Sequence, residues 1–336
     1  MGIIIIKLGA IGDVIRTTSI LPGLKEKYAG KQIIWVTKKE SFDILKNNNS
    51  IEKIFLIDNS SQNEIKNAEY GLIINLDDDY DACKLAAEIH SKKIIGAYLK
   101  NGKIKYTEDS ALWFDMGLIS KFGKEKADEL KARNKKTYQE IMYRILDLDY
   151  EKQEPILILD KNSLQFGNEF KKNNEISKNE LVIGINTGAS GRWQDKKLSI
   201  GETADLIDKL NTEINNAKLL LFGGPEEKER NKRIQKAVKT EIIDAGCDNS
   251  LMEFASLVNQ CNVLITSDSL AMHIGTALKK KIVAFFYPTS ATEIMLPPNG
   301  IKIIGKGKDY CSYKTKCDNP PKWDTNEFVD AVKKLV

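Results

Sequence analysis

Asn262-Val-Leu-Ile-Thr-Ser-Asp-Ser-Leu-Ala-Met-His-Ile-Gly-Thr-Ala-Leu278 decides the fold. The β-branched run Val263 to Thr266 breaks into the polar turn Ser267-Asp268-Ser269 and then into a helical pattern, the strand–turn–helix step of an α/β protein. The first amides of such a helix have no internal partners, and its dipole favours negative charge by about 0.3 to 1 kcal/mol, so the turn suits a phosphate. Ser269 and Leu270 supply those amides, and His273 lies one turn on, on the same face. Asp268 would repel a diphosphate but can accept from sugar hydroxyls, so the turn points to a nucleotide-sugar. A second reading stands beside it: a helix capped by Asp268 or Ser269, with His273 packed in the core.

Outward from that stretch, short apolar runs alternate with helical patterns along the whole chain, as in parallel sheets. In the first half the strands fall at Ile3 to Leu8, Gln32 to Thr37, Lys53 to Ile57, Leu72 to Leu76 and Lys93 to Ala97, with helices at Val14 to Tyr28 and Asp81 to His90. The charged stretch from Asp149 to Glu154, then Pro155, marks a linker, with a further polar stretch from Lys171 to Glu180. The second half repeats the scheme with strands at Val182 to Asn186, Lys218 to Phe222, Glu241 to Asp244, Val263 to Thr266 and Ile282 to Phe286. Two Rossmann-like domains, 1–154 and 155–336, with a cleft between them, is the simplest architecture. The last helical segment, Thr325 to Val336, is a candidate to return to the first domain.

The 336 residues suit two domains, and 42% hydrophobic content supplies both cores. With 51 basic against 47 acidic residues, the net charge of +4 is too mild to argue for nucleic acid, but it fits an anionic substrate or a loose contact with an anionic membrane surface. No window reaches the roughly 20 apolar residues of a spanning helix, and the start lacks the basic region of a signal peptide, so a cytoplasmic location is expected. Cys83, Cys247, Cys261, Cys311 and Cys317 are scattered as reduced thiols are. Only His90 and His273 occur, which excludes a histidine-rich metal site.

The candidate chemistry sits in strand-end loops. Gly9 and Gly12 permit a tight turn after the first strand, and Asp13 follows at its edge, either as a general base or as the cap of the next helix. No full G-x-G-x-x-G occurs, and the second strand ends in Thr37-Lys38-Lys39 without an acidic residue for a ribose. After the sixth strand come Thr187, Gly188 and Gly191, with Arg192, Lys196 and Lys197 bringing positive charge suited to a leaving diphosphate. Lys197 reads as a solvated surface lysine. In Phe222-Gly-Gly-Pro-Glu-Glu227 the acidic pair can accept from adenine or ribose, or simply start a helix. Asp77-Asp78-Asp79 has the D-x-D spacing of a metal site but reads first as the acidic turn of a helix. Cys311 and Cys317 lack the paired spacing of a zinc site.

Leu8-Gly-Ala-Ile-Gly-Asp-Val14, Asn186-Thr-Gly-Ala189 with Lys196, Phe222-Gly-Gly-Pro225 and Ser267-Asp-Ser-Leu-Ala-Met-His273 together resemble glycosyltransferase family 9, the lipopolysaccharide heptosyltransferases. The resemblance implies a GT-B fold of two Rossmann-like domains facing each other across a cleft. The N-terminal domain would bind the acceptor, an anionic glycolipid, and the C-terminal domain ADP-heptose, with inverting transfer at the inner membrane surface that needs no metal or other cofactor. By position, Asp13 matches the base and Lys196 the lysine that contacts the donor. Thr187, Asp268, Ser269 and His273 match donor positions, and Glu226 matches the nucleotide pocket. Leu270 stands where the family often has glycine, and Lys197-Leu198-Ser199 replaces a basic-Trp-Pro run, so Arg192 competes with Lys196 for the diphosphate. Another nucleotide-sugar, a protein acceptor, or nucleotide binding without catalysis are the alternatives, and oligomeric state is open.

Overall fold

Ile3, Ile4, Ile5 and Ile6 are all at most 2% exposed, as consecutive residues must be in a parallel strand covered on both faces. They form most of β1 (Gly2–Ile6). The computed structural model describes residues 1–58, 62–189, 191 and 193–336. Around β1 it arranges β2 (Ile33–Thr37), β3 (Lys53–Leu56), β4 (Glu69–Asn75), β5 (His90–Ser91), β6 (Ile94–Lys100) and β7 (Lys103–Tyr106). The order is β3-β2-β1-β4-β6-β7, with β5 on β4. Every pairing is parallel except the β6–β7 hairpin.

The sequence reading missed that hairpin, although its signal was present. Asn101 and Gly102 both have positive φ, 52° and 71°, the backbone that a two-residue hairpin turn demands and that Asn-Gly supplies best. The single helix expected over Val14 to Tyr28 is also divided. Helix Ile11–Thr17 passes into a 3₁₀ turn, Thr18–Ile20, and a new helix, Leu21–Lys27, begins with Pro22 in its first turn. Proline fits there because the N–H it lacks would have no helical partner.

The chain divides into Met1–Ile158 and Leu159–Val336. The polar stretch from Lys171 to Glu180 therefore lies within the second unit, where helix Lys161–Asn173 ends and β8 (Leu181–Asn186) follows. That unit continues with β9 (Ala217–Phe222), β10 (Ile243–Asp244), β11 (Val263–Ser267), β12 (Lys281–Phe286) and β13 (Ile301–Ile304), in the order β10-β9-β8-β11-β12-β13. The last helix, Thr325–Lys333, packs on the sheet of this unit. Its apolar face, Phe328, Val329, Ala331 and Val332, joins the core beneath helix Ile200–Glu213 and strands β12 and β13. Phe328 lies 5.5 Å from the Phe285 ring, edge to face. Ser199 and Ser250 close the starts of their helices with reciprocal bonds to Glu202 and Glu253, each box worth about 1 kcal/mol.

Each sheet reverses its winding once, between β1 and β4 in the first unit and between β8 and β11 in the second. Loops leaving the carboxyl ends of strands flanking such a reversal diverge and leave a crevice, where α/β sheets bind ligands. Those loops include residues 7–10 and 76–79 in one unit, and 187–189, 193–199 and 268–269 in the other.

Candidate functional site

In the second unit, every residue from Val263 to Ala277 is buried except Asp268, Ser269, Leu270 and His273, which stay partly open. The openings in that strand–turn–helix thus fall on the positions with polar chemistry and on the helix start. Ser269 is the N-cap residue of helix Leu270–Ala277 but makes no side-chain cap bond. Its hydroxyl turns instead to Thr266 Oγ1 at 2.9 Å and accepts from Asn186 Nδ2 at 3.3 Å. Asn186 also donates to the Gly188 carbonyl at 2.8 Å, which ties the two loops at the sheet reversal together. The capped-helix alternative therefore fails at Ser269.

Lys196 belongs to the 3₁₀ turn Gln194–Lys196 and is 8% exposed. Its Nζ donates to Asp268 Oδ2 at 2.8 Å and to the Asp268 carbonyl at 3.1 Å, and lies 5.0 Å from the centre of the Trp193 ring. His273 Nε2 is 4.0 Å from Asp268 Oδ1. Burial raises the Asp268 carboxyl, but the Lys196 ammonium, then the His273 ring and the lysine hydrogen bond, outweigh it and hold the group at about 2. The Lys196–Asp268 ion pair and the His273 ring thus form one partly buried polar cluster beside a helix start without a side-chain cap. Arg192, its rival for the diphosphate, lies outside the described residues.

The remaining donor-loop expectations divide. Thr187 is 6% exposed, and its hydroxyl donates to Asn231 Oδ1 at 2.6 Å and to the Phe222 carbonyl at 2.9 Å, so its side chain ties the end of β8 to the end of β9 and to helix Lys228–Ala237. Glu226 is exposed, and the neighbouring Glu227 is buried instead. Glu227 accepts from Gly224 N at 3.1 Å and pairs with Lys197 Nζ at 2.8 Å, the two side chains 5% and 8% exposed. Lys197 is therefore not a solvated lysine. It is the partner without which Glu227 would be a buried lone charge. A Cβ on Gly188 would come 2.8 Å from Glu227 Oε2, so the glycine lets the loop lie directly over this pair.

The first unit repeats the device. Lys7 and Asp77, 8% and 7% exposed, form an ion pair, and Asp77 also accepts from the amides of Leu8 and of Gly9, the latter at 3.0 Å. Burial lowers the Lys7 ammonium, but Asp77 first and Asp13 second hold it well above the usual lysine value. A Cβ at Gly9 would sit 2.9 Å from Asp77 Oδ1 and 3.1 Å from Lys7 Nζ. Two members of the acidic run have structural roles: Asp77 is in this pair, and Asp79 caps helix Tyr80–Glu88 by accepting from Ala82 N at 2.9 Å. Among the described residues no group of three or more His, Cys, Asp or Glu side chains is placed to hold a metal.

Asp13 is not a cap. The N-cap of helix Ile11–Thr17 is Ala10, buried Gly12 is in its first turn, and the Asp13 carboxylate is bonded to Arg16 Nη2 at 2.8 Å while keeping about a third (33%) of its side chain exposed. The Arg16 guanidinium is itself fixed 4.0 Å over the ring of buried Tyr138. The Asp13 carboxylate is thus held in one orientation by Arg16 and left open to solvent on its other side. Among the described residues no helix is long and apolar enough to cross a membrane.

The model of glycosyltransferase family 9 (heptosyltransferase) matches residues 60–322. A curated relative, lipooligosaccharide heptosyltransferase 2 of Haemophilus influenzae, is 25% identical over 183 residues, covering 48% of this chain and 51% of its own length. The chain thus spans about half the length of the curated relative it matches. A solved glycosyltransferase family 9 structure from Veillonella parvula superposes with a TM-score of 0.79 at 20% identity, covering 99% of this chain and 96% of that one. The E. coli ADP-heptose lps heptosyltransferase II structure gives 0.66 at 16% identity, covering 100% and 98%. At these identities the likeness establishes the fold class, the GT-B type built from two Rossmann-like units.

Proposed function

Because the chain belongs to glycosyltransferase family 9, the heptosyltransferase family, we propose that it transfers heptose from ADP-heptose to a lipopolysaccharide-core acceptor, with inversion and without a metal. The second unit takes the donor and the first unit the acceptor, a glycolipid reached from the cytoplasmic face of the membrane. The observation that carries the donor half is the Lys196–Asp268–His273 cluster beside the uncapped start of helix Leu270–Ala277.

In this reading Asp13 takes the proton of an acceptor hydroxyl, worth about 10²- to 10⁴-fold in rate. The hydroxyl oxygen attacks the anomeric carbon as the bond to the ADP diphosphate breaks, and the leaving oxygen keeps the electron pair. Lys196, His273 and the amides of Ser269 and Leu270 hold the charge that develops there, each preorganised donor worth about 10²- to 10³-fold. Asp268 orients Lys196 and accepts from sugar hydroxyls. The Lys196 ammonium, the His273 ring and a helix start thus do the electrostatic work that a divalent cation would otherwise do. Gly188 lets the loop approach the nucleotide, and Thr187 supports it from beneath.

Thermal shift against ADP, UDP and GDP tests the donor. ADP at a hundredfold its dissociation constant is expected to add about 2.7 kcal/mol, with UDP and GDP doing less. Mass spectrometry of ADP-heptose with lipopolysaccharide-core acceptors in excess EDTA is expected to show heptose added. Stabilisation by UDP alone, or turnover abolished by EDTA and restored by a divalent metal, contradicts the reading.

A further inference from the structure

We infer that the β6–β7 hairpin is an anion-binding site that recognises a phosphate or carboxylate carried on the acceptor saccharide. The inference rests on the reading of the first unit as the acceptor unit. β4 ends at Asn75, which pairs with Gly96, so residues 97–100 of β6 and all of β7 run on past the end of β4. At about 3.3 Å per residue the hairpin extends roughly 13 Å beyond it. Its root lies against the loop that carries Asp77. Asn75 Nδ2 donates to the Ala97 carbonyl at 2.7 Å. Gly96 has φ +118°, and a Cβ there would fall 1.8 Å from the Asn75 carbonyl oxygen, so only glycine permits the junction.

The register then sorts the side chains. Lys100 is directly opposite Lys103, and Tyr98 directly opposite Lys105. Because successive side chains alternate in face, Tyr98, Lys100, Lys103 and Lys105 share one face, while Leu99, Ile104 and Tyr106 pack with Phe114 and Cys83 in a small satellite core. The three lysines are exposed, and among the described residues no carboxylate pairs with any of them. Like charges opposed across a hairpin have Cβ atoms about 5 Å apart and repel. A bound anion relieves that repulsion. These residues line an open pocket of about 600 Å³ together with Asn101 and Tyr106, large enough for a sugar with its anionic substituent.

The test is calorimetric titration of the intact chain, with ADP saturating, using glucose 1,6-bisphosphate, glucose, and phosphatidylglycerol vesicles in separate arms. The comparison is the triple variant Lys100→Ser, Lys103→Ser, Lys105→Ser. The bisphosphate is expected to bind, glucose to bind far more weakly, and the triple variant to lose about tenfold or more in affinity at low salt while its ADP affinity is unchanged. Equal bisphosphate binding by the triple variant overturns the proposal, as does no binding by the unaltered chain. Lysine-dependent binding to vesicles with none to the soluble bisphosphate overturns it in favour of a membrane contact. Failure of ADP to bind, with lysine-dependent bisphosphate binding intact, would instead sink the donor assignment and leave this site standing.

Discussion

Lys196→Ala removes the main charge that keeps Asp268 ionised, and the structure sets the size of the effect. The carboxyl is held at about 2 against an ordinary 3.8. At 1.36 kcal/mol per pKa unit the net shift, to which burial and His273 also contribute, is on the order of 2 kcal/mol of stability at neutral pH, most of it dependent on Lys196. The side chain is 16% exposed, so solvent screening takes little of it. Because the folded value lies below the unfolded one, the contribution is complete above about pH 4 and disappears as pH falls through about 2. It is about half gone near pH 3. Urea unfolding of the parent and of Lys196→Ala at pH 7 and at pH 3 reads this directly. The expected result is a destabilisation of about 2 kcal/mol at pH 7 that shrinks to roughly 1 at pH 3, with Asp268→Asn added to Lys196→Ala recovering part of the loss at pH 7. A deficit of the same size at both pH values, or no recovery in the double variant, would refute the electrostatic account and leave only lost packing of the lysine stem.

Gly9→Ala puts a methyl group against the Lys7–Asp77 pair and is expected to cost about 1 to 3 kcal/mol, with a loss of transfer activity larger than the loss of ADP binding; thermal denaturation and steady-state kinetics check the two parts. Glu227→Gln keeps the shape but leaves the Lys197 ammonium buried without its counter-charge, for an expected cost of about 3 kcal/mol. Adding Lys197→Met should restore most of it in urea titrations, since an apolar pair of similar volume needs no such partner. Equal stability of Glu227→Gln and the parent would show that the pair is solvated.

The doubly wound plan was readable because β-branched runs such as Ile3 to Ile6 and Val263 to Thr266 can be little else than buried parallel strands. Edges were harder. β7 is four residues, Lys103–Tyr106, of which Lys103 and Lys105 face water, so it carries almost no hydrophobic signal, and only Asn101-Gly102 announced it. The sequence brought Asp13, Lys196, Asp268, Ser269 and His273 forward as polar residues at strand ends, since that is where an α/β fold places its loops. It could not show which of two adjacent residues turns inward, a matter of one peptide's rotation: Glu227 is buried and Glu226 exposed, and Lys197 pairs below the loop while Lys196 reaches Asp268. Nor could it match Lys7 with Asp77 across the sheet reversal, because that pairing depends on strand order rather than on any local pattern.

In the proposed reaction Asp13 takes the acceptor proton while the second unit holds the donor by itself. Single-turnover transfer from ADP-heptose by Asp13→Asn, measured alongside its ADP dissociation constant, separates the two. The expected rate is at least about 100-fold lower with ADP affinity within about twofold of the parent, a change under about half a kcal/mol. Transfer at the parental rate, or ADP binding lost together with turnover, would contradict it.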